Sequence, residues 1–131
     1  MDTQKVREIA FKTLYEMEIR GHDLSNVVFD EPLGNKATEF ITKIVNGVYS
    51  SNEKYNAVIS DNLRGWKLER VSKLSIAAIK LALSEIDNNE KITPAIAIAE
   101  AVKLISKYEG DEATGFVNGV LGEFMRNKDA K

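Results

Sequence analysis

Apolar residues recur at spacings of three and four along most of the chain, a period that predicts helices throughout. The first helix begins near Thr3, which can cap it. It turns Val6, Ile9, Ala10, Leu14 and Met17 inward and stops at Gly21. Residues 22–36 lose the period. There, Asp30-Glu31-Pro32-Leu33-Gly34-Asn35 is turn chemistry, preceded by a short helical candidate carrying Leu24, Val27, Val28 and Phe29. The pattern returns over residues 36–48, with Phe40, Ile41, Ile44, Val45 and Val48 on one face. Ser50-Ser51-Asn52 then offers caps for a helix that buries Tyr55, Val58, Ile59 and Leu63 and ends at Gly65.

Trp66 opens the next predicted segment, whose inward stripe is Val71, Leu74, Ala78, Leu81, Ala82 and Ile86, closed by Asp87-Asn88-Asn89. Thr93-Pro94 is a strong start signal: threonine caps, and proline at the first helical position gives up no needed hydrogen bond. Ala95, Ile98, Ala101, Val102 and Ile105 follow, up to Gly110. A last helix over residues 111–125 carries Phe116, Val117, Val120, Leu121 and Phe124. No strand alternation, internal repeat or linker competes with this reading. The expected fold is all-α, a compact bundle of six to seven helices forming one domain over residues 1–131.

Composition narrows the functional classes. A chain of 131 residues is long enough to bury one real core. It has no cysteine, which excludes disulfides, zinc–thiolate sites and thiol nucleophiles and suits a reducing cytoplasm. The N-terminal residues lack the apolar core of a signal peptide, and charge interrupts every apolar run, so no membrane span is expected. The net charge is −2, so nucleic-acid contact has to come from a local patch.

Two local departures stand out. Residues 64–80 hold Arg64, Lys67, Arg70, Lys73 and Lys80 against the single acid Glu69, a balance of +4 in an acidic chain. On one continuous helix Arg70, Lys73 and Lys80 share a face, which is either a solvated polar surface or a binding surface. Gly115, Gly119 and Gly122 fall within a helical pattern, where three glycines cost about 2–3 kcal/mol relative to alanine. Their spacing makes one ridge, open either to tight helix packing or to the close approach of a ligand. Asn118 between them has an amide that can pair with a nucleobase edge or a buried backbone group.

Catalytic constellations are absent. His22 is the only histidine, in a turn beside Asp23, and a zinc site would need carboxylates alone. No phosphate-cradling glycine motif follows a strand. Asp111-Glu112 at a helix start suits the helix dipole. Glu16 and Glu18, like Glu85 and Asp87, lie two apart on a helix and do not face one another. The residues thus argue against an enzyme and against a metal site. Tyr15, Tyr49, Tyr55, Trp66, Tyr108, Phe116 and Phe124 are available for stacking on single-stranded RNA, although most also have core explanations.

The motifs in order resemble the NusB family. Val6-Arg7-Glu8-Ile9-Ala10-Phe11-Lys12-Thr13-Leu14-Tyr15 is similar to its first helix, with R-x-x-A-x-x-x-L-[YF], and Gly47-Val48 ends a family-like third segment. Trp66-Lys67-Leu68-Glu69-Arg70-Val71 matches W-x-[LI]-[DEN]-R-[IL]. Ala78-Ile79-Lys80-Leu81-Ala82, Thr93-Pro94, Ala97-Ile98-Ala99-Glu100-Ala101-Val102 and Phe116-Val117-Asn118-Gly119-Val120-Leu121 follow at family spacing, so the likeness runs from about residue 6 to 124.

The resemblance implies two packed helical halves and a non-catalytic, cofactor-free role in transcription antitermination and ribosomal RNA transcription. It implies binding of boxA-type single-stranded RNA together with NusE, a small-subunit ribosomal protein, in the transcription elongation complex. Carried over by position, it nominates Lys5, Arg7, Lys12, Tyr15, Phe116 and Asn118 for RNA, and Arg70, Ser75, Lys80 and Glu85 for the partner. Members fused to a methyltransferase carry a catalytic domain for which this chain has no room.

The sequence departs from the family at several points. The first 20 residues hold four basic and four acidic side chains rather than an arginine-rich arm, which predicts weak RNA binding by the isolated chain. Ser75-Ile76 replaces an acid–arginine pair, Ala99 an asparagine, and Gly122 the acid that often follows N-G-V-L. A protein-only interaction module or homodimer that keeps the fold without RNA recognition is the alternative.

Overall fold

The structure, a computed structural model, describes residues 3–21, 34–63, 67–89 and 91–129. The candidate short helix before Asp30, most of the following turn, His22 and the Arg64-Gly65-Trp66 stretch lie outside the described residues. Those described form six α-helices and no strand: α1 (Thr3–Arg20), α2 (Asn35–Ser50), α3 (Asn52–Asp61), α4 (Lys73–Asn88), α5 (Pro94–Glu109) and α6 (Asp111–Asp129), with a 3-10 turn at Leu68–Arg70. None is long and apolar enough to cross a membrane.

The helix over which the others assemble is α4. Every residue from Ser75 to Glu85 is buried, as expected of a helix covered on all sides. It packs against α1, α2 and α3 on one part of its surface and α5 and α6 on another, so two helical groups share it as their common core. Around it, α1 contributes Val6, Ala10, Phe11, Leu14 and Met17, and α2 contributes Ile41, Ile44, Val45 and Val48. From α3 come Tyr55 and Ile59, and from α6 Val117, Val120 and Leu121.

Sequence expectation and structure differ in three places. The segment opened by Trp66 is not one helix. Ser72 takes an extended conformation and its side chain accepts from the Ser75 amide, so α4 starts at Lys73 and Arg70 belongs to the preceding 3-10 turn. The shared basic face therefore does not form: Arg70 and Lys73 are exposed, but Lys80 lies inside. The buried face of α5 is also rotated from the expected one. Ala97, Ala101, Leu104 and Ile105 are inside, whereas Ala95 is exposed and Ile98 and Val102 are half-buried. Finally, Thr93 and Pro94 start α5 as read, but α6 continues past Met125 to Asp129.

Candidate RNA and partner-binding face

Ten side chains nominated from sequence separate by burial. Arg7 (7% exposed) and Glu85 (1%), assigned to different surfaces, meet in the interior. The Arg7 Nε donates to Glu85 Oε1 at 2.9 Å and its Nη2 to Oε2 at 2.7 Å, a two-pronged charge-assisted contact between α1 and α4. The Glu85 carboxylate holds the Arg7 guanidinium pKa above its ordinary value, while burial works against it. Lys80 is 1% exposed, and its ammonium donates to Glu18 of α1 and, at 2.6 Å, to Asn52 of α3. Burial lowers its pKa and the Glu18 contact opposes that shift. Periodicity placed these charges on a helix but did not show that α4 is wrapped on every side, so Arg7, Lys80 and Glu85 spend their polar atoms on helix-to-helix contacts.

Ser75 is buried beside a cleft of about 410 Å3 that also involves Arg70, Val71, Glu109, Glu112 and Phe116. Here the structure joins residues that the motifs assigned to two surfaces: Arg70 and Ser75 on one wall, Phe116 on the other. Glu109, at the end of α5, accepts from the Ser72 hydroxyl and, at 3.4 Å, from the Ser75 hydroxyl. It thus sets a carboxylate at the N-terminus of α4, where the helix dipole favours negative charge. Sequence reading did not single out Glu109, which reaches this position only because α4 and α5 pack together.

The remaining nominees are accessible. Lys5 and Lys12 are exposed on α1, Tyr15 is half-buried one turn further along, and Asn118 is exposed on α6 with half-buried Phe116 two residues before it. Among the described residues nothing packs closely on the glycines of α6. A Cβ at Gly115 or Gly119 would meet none of the described residues within 4 Å, and at Gly122 its nearest neighbour among them would be the Arg126 guanidinium at 3.6 Å. Their cost in helix propensity is therefore not returned by contacts with the described residues. Gly115 and Gly119 instead leave bare backbone beside Asn118 and Phe116.

Where α1 meets the end of α5, Glu8 accepts from the Tyr108 hydroxyl at 2.5 Å and from Lys107 at 2.9 Å, with Lys12 at 3.8 Å. The Tyr108 ring packs on Phe11 at a centroid distance of 5.3 Å. The hydrogen bonds from Tyr108 and Lys107 hold the Glu8 carboxyl below the usual range. Among the described residues no group of three or more metal-ligating side chains converges.

Taken together, these features define an all-helical domain whose buried polar contacts fasten the helices, with exposed lysines on α1 and an exposed amide and half-buried aromatic ring on α6. The model of the NusB family matches residues 4–126. Transcription antitermination protein NusB of Acetivibrio thermocellus is 35% identical, over 98% of this chain and 91% of that protein. Its counterpart from Clostridium novyi is 36% identical, over 96% and 99%. The chain belongs to the NusB family. T. maritima NusB superimposes with a TM-score of 0.84 at 27% identity, covering 94% of this chain and 89% of that one. The crystal structure of antitermination factors NusB and NusE with dsRNA shares the fold, with a TM-score of 0.78 at 23% identity over 97% and 99%.

Proposed function

We propose that this chain is a non-catalytic antitermination adaptor, a single cytoplasmic domain that holds boxA-type single-stranded RNA together with the ribosomal protein NusE in the transcription elongation complex. Membership of the NusB family supports the role. One structural observation carries the placement: the F-V-N-G segment lies on α6 with Asn118 outward and Phe116 in the cleft shared with Arg70 and Ser75. An amide presented beside bare glycine backbone suits pairing to a splayed base, and an aromatic edge beside it suits stacking. Lys5 and Lys12 provide phosphate contacts on α1. Arg70 and Ser75 lie on the side of the cleft assigned to the protein partner.

Within this reading Arg7, Lys80 and Glu85 act indirectly, by holding α1 and α3 against α4. The test is one set of binding measurements with boxA-type RNA, NusE, and both together, the assembly mass being followed by sedimentation. Strong RNA binding only when both are present supports the adaptor. Failure to bind in every combination overturns it, and a stable dimer of the chain alone would then favour the protein-only alternative.

A further inference from the structure

The meeting of α1 and α5 holds an arrangement that the reading above does not use. Lys107 and Lys12 are more than half exposed, yet both ammonium groups approach one carboxylate, that of Glu8, together with the Tyr108 hydroxyl. The Lys107 ammonium also stands 5.7 Å from the centre of the Tyr108 ring. Two ammonium groups and a hydroxyl converging on one oxyanion, with an aromatic ring at the edge, make up the donor set that proteins present to a nucleotide phosphate and its base. Here a carboxylate of the same chain supplies the oxyanion.

We propose that Glu8 is an internal phosphate mimic: in the free protein it occupies a backbone-phosphate subsite formed by Lys107, Tyr108 and Lys12, and RNA has to displace it. The inference rests on the RNA-binding reading and deepens it, adding Lys107 and Tyr108 to the RNA face and a built-in brake to the site. Lysines already paired with Glu8 give up that pairing when they transfer to phosphate, and with the carboxylate still beside them they neutralise less phosphate charge, so the exchange releases fewer counterions from the RNA. The displaced carboxylate remains close to the incoming phosphate and repels it. Both effects weaken RNA binding on a face that otherwise displays lysines.

The experiment is fluorescence anisotropy of a labelled boxA-type RNA with the full chain and NusE across a range of salt concentrations. Wild type, Glu8→Gln, Lys107→Ala and the double variant are compared, with helical content checked by circular dichroism. Glu8→Gln is expected to bind about three- to ten-fold more tightly at low salt. Its log–log salt slope should steepen by about 0.7, the single-strand increment for the one negative charge removed from the subsite. Lys107→Ala should weaken binding and, in the Glu8→Gln background, remove most of the gain. If wild type binds and Glu8→Gln shows the same or lower affinity with an unchanged slope, the mimic is refuted while the adaptor reading stands. If no variant binds RNA, wild type included, the adaptor reading falls and this inference with it.

Discussion

Replacing Arg7 with methionine tests whether the first-helix arginine acts through the fold rather than at the RNA. Arg7 makes three charge-assisted hydrogen bonds to Glu85 within the core, Nε reaching both carboxylate oxygens, and its Nη1 lies 3.9 Å from Glu100. Methionine fills much of the same space but leaves the 1%-exposed Glu85 carboxylate with no counter-charge. Breaking one side of such a buried pair costs about 3–5 kcal/mol, mostly because the abandoned charge stays desolvated. Against a total stability of about 5–15 kcal/mol, that is a large share. For a chain of this size it corresponds to a fall in melting temperature of about 10–20 °C. Glu85→Leu should cost less, since the Arg7 guanidinium can turn toward Glu100. The double variant Arg7→Met/Glu85→Leu, with no charge left to bury, should return to within about 1.5 kcal/mol of wild type. Urea denaturation followed at 222 nm, with the linear extrapolation applied to all four proteins, measures the cycle. A cost below about 1 kcal/mol for Arg7→Met, or a double variant as destabilised as the sum of the singles, would refute the reasoning.

The glycines separate by surroundings. Gly115→Ala and Gly119→Ala, whose added methyl meets none of the described residues, should each raise stability by up to about 1 kcal/mol in the same denaturation assay. If RNA approaches that backbone, they should also weaken RNA binding. Gly47→Ala should instead cost about 1–3 kcal/mol, because its Cβ would enter the space of the Ser84 hydroxyl and the Asn88 amide. Glu8 has a folded pKa below its unfolded one, so its stabilising contribution is present above the unfolded value and is lost as pH falls through the folded value. Carboxyl titration by NMR should place Glu8 below ordinary glutamates, and Tyr108→Phe should move it upward. The Tyr108 hydroxyl, partly desolvated at the helix junction and donating to Glu8, has its pKa pushed up to about 12. A raised pKa stabilises below the unfolded value near 10, a contribution lost as pH climbs through 12. Phenolate absorbance should lose its component near 12 in Tyr108→Phe.

What the amino-acid sequence determined by itself was local or ordered along the chain. The three-four period placed the described helices, and Thr93-Pro94 and Gly110 marked the two ends of α5 because caps act through neighbouring atoms, whereas the Ser72 cap of α4 did not stand out from the run opened by Trp66. The ordered run from the first-helix motif to F-V-N-G identified the family, since residue order survives without knowledge of packing. Only the tertiary structure decided which charges are surface and which are structure. A charge looks the same in the sequence whether its helix has one covered face or is enclosed, and α4 is enclosed. Arg7 and Glu85 are 78 residues apart, and Lys80 and Glu18 are 62 apart, so no periodicity links them. The same separation hid the contact at the α1–α5 junction: Glu8 and Lys107, 99 positions apart, become partners only when both helices pack on α4. For the glycine ridge, ambiguous by spacing, the structure speaks against tight packing: at Gly115 and Gly119 none of the described residues stands within 4 Å of a Cβ.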